Sequence, residues 1–157
     1  MKILIAVDGS AGALQAVRHA LTLVQAGLRA EFVLVNVQEP ASLYEMAVAH
    51  DADQLKALRT AAGADLLAPA EALLDAAGVG YESEVAGGGD PANLIVELAE
   101  NYGCSAILVG ARGMESEGAG GVGPVAQALV AHATLPVTVV HVPDDVEGDD
   151  SDSITDS

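Results

Sequence analysis

The residues that could do chemistry sit in two short stretches. One is Asp8-Gly9-Ser10, which directly follows an apolar run. The other starts at Gly110, passes through Arg112 and Gly113, and reaches Gly123 and Pro124 after further glycines. Glycine has no Cβ, so a loop of this kind can bring backbone N–H groups close to a ligand. Pro124 with Val125, Ala128 and Leu129 reads as a short helix, whose start adds unpaired donors and the positive end of a dipole. Together these make an anion site. Arg112 is the one Lys or Arg after Arg59, and it stands inside the glycine loop where an anion would need it.

Other chemistries find no support. The sequence has no G-x-x-x-x-G-K-[ST] phosphate loop, no G-x-S-x-G elbow and no Cys/His pair at metal-ligand spacing. The four histidines are scattered and read as helix-face or strand residues. Gly118, Gly120 and Gly123 match G-x-G-x-x-G before a helix. In a dinucleotide fold, however, that motif follows its strand at once and has an acid about 20 residues on. Here it starts well beyond Gly110, and the corresponding downstream region is apolar. Nothing places a general base beside a nucleophile, so any hydrolysis would be slow.

Charge narrows the partners. The 157 residues carry 23 acids against 6 bases, a net charge of −17. Such a surface repels phosphate backbones and anionic lipid, which argues against nucleic acid and membrane partners. Mean hydropathy is +0.37, yet no apolar run reaches the roughly 18 residues of a membrane span. The opening MKILIAVDGS stops being apolar at Asp8 and shows no cleavage site, so it reads as a strand rather than a signal peptide. The single cysteine, Cys104, excludes an internal disulfide and fits a cytoplasmic protein. A buried spacer is its plainer role and a reactive thiol the sharper alternative.

These stretches need elements to hold them. Residues 2–7 and 32–37 form continuous apolar runs, as strands covered on both faces do. Between them Ala13, Leu14, Val17, Leu21 and Val24 recur at helical spacing, with Ser10 as cap. Residues 39–53 read as a partly helical surface loop. Residues 53–77 read as a helix that Pro69 should kink or split and Gly78 should close. Residues 79–85 alternate, as in a less buried strand. Asp90-Pro91 opens a helix striped by Leu94, Ile95 and Leu98, and 106–109 and 137–142 supply two more strands. Alternating strands and helices predict one α/β domain, 1–142, with a parallel sheet and helices on both faces. Residues 143–157 hold seven acids and no base, and read as a disordered tail. Ligands of such sheets bind beyond the strands' carboxyl ends, so with the first and fourth strands as central neighbours the turn at Asp8-Gly9-Ser10, the loop from Asn36 to Glu39 and the Gly110–Gly123 loop should meet at one crevice.

Gly110, two residues, Gly113, nine residues, Gly123 resembles the G-x2-G-x9-G-[ST] nucleotide loop of the universal stress protein family. ILIAVDGS at 3–10, VLVNV at 33–37, SAILVGARG at 105–113 and ATLPVTVVHV at 133–142 are similar to that family's first, second, fourth and closing segments. The resemblance implies a Rossmann-like, three-layer α/β/α fold with a five-stranded parallel sheet of order 3-2-1-4-5. It implies a site for ATP or another adenine nucleotide, with or without Mg, and a homodimer through the edge strand from Val137 to Val142. By position, Asp8 would meet the ribose, and Ala6, Val7 and Val37 would line the adenine pocket. Gly110, Arg112, Gly113, Gly123 and Val125 would surround the phosphates. The sequence departs from the pattern at Pro124, where the family has Ser or Thr. Proline lacks both the hydroxyl and the backbone N–H, and Glu115 and Glu117 add negative charge to the loop. The expectation is a stress-response module whose nucleotide site is weakened at its phosphate end. The alternative is a dimeric interaction protein of the same fold that has lost the ligand.

Overall fold

Three apolar runs become the middle of one sheet, and every pairing in it is parallel. A computed structural model of the chain describes residues 1–38, 47, 51–113 and 121–143. Strand β1 (Lys2–Ala6) lies between β2 (Glu31–Gln38) and β4 (Ala106–Gly110), with β3 (Tyr81–Gly87) and β5 (Val137–Val140) at the edges. The order is thus β3-β2-β1-β4-β5, as the resemblance implies. Parallel register pairs Ile5 with Leu34 on one side and with Leu108 on the other.

Side chains of a strand alternate between faces, so the central strands feed two cores. Ile3, Ile5, Phe32 and Leu34 pack with Val17 of α1 (Ala11–Gln25) and with Leu67 and Leu74 of α2 (Ala52–Ala77). On the opposite face Leu4, Val33, Val35 and Ile107 pack with Ile95 of α3 (Pro91–Asn101) and Leu129 of α4 (Pro124–His132). Helix starts follow the caps: the Ser10 hydroxyl accepts from the Ala13 N–H, and the Asp90 carboxylate from the Asn93 N–H. No described helix is long and apolar enough to cross a membrane.

The structure corrects the sequence reading at several ends. Pro69 does not split α2, which runs unbroken for 26 residues. Its ring is exposed, and buried Leu67, Ala70 and Leu74 hold the helix on both sides of it. The third strand starts at Tyr81 rather than 79, because the Val79 N–H is engaged by the Leu74 carbonyl behind left-handed Gly78. The last strand ends at Val140, leaving His141 and Val142 exposed beyond it. Of residues 39–53, read as a loop, only 47 and 51–53 are described, and α2 already starts at Ala52 behind its cap Asp51. The loop positions Glu115, Glu117, Gly118 and Gly120 and the acidic tail beyond Pro143 lie outside the described residues.

Two side chains tie helices to the β3 edge or to the core. The Tyr102 hydroxyl, at the end of α3, donates to Glu84 Oε1 of β3 at 2.6 Å. That bond first, then burial, pushes the Tyr102 phenol up to about 12. Its neutral form is therefore favoured in the folded chain, a contribution complete below the ordinary value of 10.0 and lost as pH rises toward 12. Cys104 is a buried free thiol, and burial pushes its pKa up. A thiol held protonated in this way suits a packing role and not a nucleophile.

Candidate functional site

A cavity of about 440 Å³ opens at the carboxyl ends of β1, β2 and β4. All nine positions named from the sequence line it: Ala6, Val7, Asp8, Val37, Gly110, Arg112, Gly113, Gly123 and Val125. Asp8 and Arg112 thus share one cleft, 104 positions apart in the chain. The cause is topological. Strands β1 and β4 are parallel neighbours, so the segments that follow them leave the sheet at the same rim.

The Asp8 turn is built by its own backbone. Gly9 takes φ +86°, a conformation side chains disfavour, and Asp8 Oδ1 accepts from the Ser10 N–H at 3.0 Å. Across the cleft, a Cβ on Gly113 would run into Asp8 Oδ2. The missing side chain at Gly113 is therefore what lets the carboxylate stand there.

Gly110 serves a different purpose from the one its motif suggests. A Cβ on it would lie 2.7 Å from the carbonyl carbon of Gly12 and 2.8 Å from its oxygen. One on Gly12 would lie 2.6 Å from the Arg112 carbonyl oxygen. The two glycines bring the first turn of α1 against the end of β4. Protein backbone, rather than a ligand, fills the space that Gly110 leaves.

The glycine loop is fastened at both ends. The Gly123 N–H donates to the Ala111 carbonyl at 2.6 Å, and Arg112 Nη1 donates to the Gly121 carbonyl at 2.9 Å. Ala111 is itself held to β5 by its N–H on Val140. Gly123 caps α4 without a side chain, and Pro124 has no N–H to offer. The first-turn donors that remain are the N–H groups of Val125 and Ala126, both on the cleft. This end of the cleft therefore keeps two backbone donors and part of one guanidinium.

Of the other lining residues, Ser10, Asn36 and Gln38 fall in the turns expected at the crevice, whereas Arg59, Leu66, Pro91 and Ile95 were not legible beforehand. Arg59 brings a second cation, so two of only six bases face this cavity in a chain of net charge −17. Its helix is seated by Gly63, one turn further on, where a Cβ would lie 2.5 Å from Val85 Cγ1 and 2.8 Å from Asn36 Oδ1. A glycine inside a helical pattern signals such a close approach. The walls are otherwise apolar, from Ala6, Val7, Val37, Leu66, Ile95 and Val109. A flat heteroaromatic ring fits walls of this kind, a hydroxylated sugar fits Asp8, and an anion fits the start of α4. Among the described residues, no group of three or more His, Cys, Asp or Glu side chains could hold a metal ion.

Known proteins resemble the chain in sequence and in fold. The sequence model of the universal stress protein family matches residues 1–141. A search of the curated proteins returns no match. Among solved structures, a universal stress protein family member from Burkholderia pseudomallei is similar, with 26% identity and a TM-score of 0.67 over 88% of this chain and 94% of that one. A family protein from Arabidopsis thaliana with AMP bound shares 22% identity and a TM-score of 0.67, covering 92% and 94%. The protein from Archaeoglobus fulgidus in complex with dAMP shares 23% identity and a TM-score of 0.62, covering 89% and 97%.

Proposed function

Because the chain belongs to the universal stress protein family, we propose that it is a cytoplasmic stress-response module whose cleft takes an adenine nucleotide. The observation that carries this reading is the meeting of Asp8, Arg112, Gly113 and the α4 start in one apolar-walled cavity. AMP and dAMP in two proteins of this fold point the same way. The base lies between Ala6, Val7 and Val37, the ribose hydroxyls donate to Asp8, and the phosphates meet Arg112, Val125 and Ala126. ATP, with Mg as its own counter-ion, is one candidate. Its outer phosphates gain little, because the Gly123 N–H is engaged and Pro124 donates nothing. The adenosine part then carries most of the affinity. Any ATP hydrolysis is slow, and the role is regulatory.

Titration calorimetry with adenosine, AMP, ADP and ATP tests this. Affinity should change by less than about tenfold from AMP to ATP, a difference below about 1.4 kcal/mol. No detectable heat with any of the four at millimolar concentration would favour the second reading, a dimeric interaction protein without a ligand. Pro124, with Glu115 and Glu117 in the loop sequence, supports it. In either case the β5 edge, with its backbone groups unpaired on one side among the described strands, is the proposed homodimer seam. Sedimentation showing only monomer at micromolar concentration would remove that assembly.

A further inference from the structure

The cleft contains a buried side-chain amide that fixes a second one. Asn36 is 1% exposed, at the end of the otherwise apolar buried run of β2. Its Nδ2 donates to the Val7 carbonyl at 2.9 Å. A carbonyl only accepts, so the Asn36 amide cannot turn over without setting two oxygens together. Its Oδ1 therefore faces Gln38, whose Nε2 donates to it at 2.5 Å. The Gln38 amide is locked in turn, since reversing it would oppose its oxygen to that of Asn36. Gly63 completes the arrangement, as a Cβ there would press on Asn36 Oδ1.

Both amides line the cavity. Gln38 keeps Oε1 and its second Nε2 hydrogen to offer, with no other partner among the described residues. Given the reading of the cleft as an adenine-nucleotide site, we infer that Gln38 is the residue that reads the base. Oε1 accepts from the exocyclic amino group of a 6-aminopurine, and Nε2–H donates to the adjacent ring nitrogen. A 6-oxopurine presents the reverse pattern, a carbonyl beside a ring N–H. A freely turning glutamine would accommodate either ring. The Val7–Asn36–Gln38 relay forbids the turn, and that restriction creates the selectivity.

AMP and IMP differ at these two ring positions, so they are the probes. In calorimetry on the full chain, AMP should bind about tenfold more tightly than IMP, the order expected of one bidentate amide contact to a base. In Gln38→Met, which keeps the length of the side chain and removes the amide, the ratio should fall close to one. Equal affinities in the parent, or a preference that survives in Gln38→Met, would overturn the inference and leave the nucleotide site standing. Binding of neither ligand to the parent would overturn the inference together with the reading beneath it. The parent ratio alone decides the matter if the variant fails to fold.

Discussion

Gly110→Val should melt about 10 °C below the parent protein, which corresponds to roughly 3 kcal/mol at 2–4 °C per kcal/mol for a chain of this size. The new Cβ would sit 2.7–2.8 Å from the carbonyl carbon and oxygen of Gly12. Those are backbone atoms of a helix, not the free end of a flexible side chain. Overpacking a core costs about 1–3 kcal/mol and occasionally more. A branched side chain against backbone belongs at the upper end of that range. The helix cannot slide away cheaply, because Ala13, Ala16, Val17 and Ala20 bury its inner face in the first core. The effect should also reach the site, since α1 starts directly behind its cap Ser10, whose N–H holds Asp8. Gly80→Val is the control: nothing lies within 4 Å of a Cβ there, and a change within about 0.5 kcal/mol is expected. Far-UV circular dichroism melts of both variants check this. A Gly110→Val melt within about 2 °C of the parent, less than 1 kcal/mol, would mean that α1 yields freely.

The second large effect belongs to Pro124→Ser. It should tighten AMP, ADP and ATP about tenfold to hundredfold and leave adenosine nearly unchanged. The substitution restores a hydroxyl and a backbone N–H at the start of α4, where Gly123 makes no side-chain cap bond. Hydrogen bonds to charged groups contribute about 1.5–3 kcal/mol each, so a single restored bond accounts for the range. Pro124 is exposed, and loss of its ring should cost the fold no more than about 1 kcal/mol through the unfolded chain. The same four-ligand calorimetry separates the outcomes. A uniform gain, adenosine included, would place the effect outside the phosphate end. No gain with any nucleotide would show that the donors of residue 124 do not face a ligand.

How much of this could be read without coordinates depends on what each residue faces. Strands β1, β2 and β4 were legible because both their faces are covered, which demands near-continuous apolar runs. The edge position of β3 was legible in its alternation for the converse reason. Ser10 and Asp90 announced their helices because a cap acts within three residues of itself. Arg59 was not legible as a cleft residue, because it takes the tertiary packing of α2, with Gly63 against Val85 and Asn36, to bring it there. Asn36 stood as the one polar residue in an apolar run, a visible irregularity, but its partner Val7 lies 29 positions away. Gly110 marks a third limit. A sequence can show that a Cβ is missing, but not whether a ligand or another stretch of backbone occupies the space.

The bond from Gly123 to Ala111, together with the grip of Arg112 on Gly121, has a bearing on how this surface can diversify. The two ends of the glycine segment are clasped to each other and, through Ala111, to the sheet. Among the described residues, these bonds are what hold the rim in place. Lengthening a flexible insert costs only about 0.6 kcal/mol per doubling. Gly113 apart, whose missing side chain makes room for Asp8, the sequence between the clasped ends can vary in charge and length as a cassette, while the sheet beneath it stays as it is.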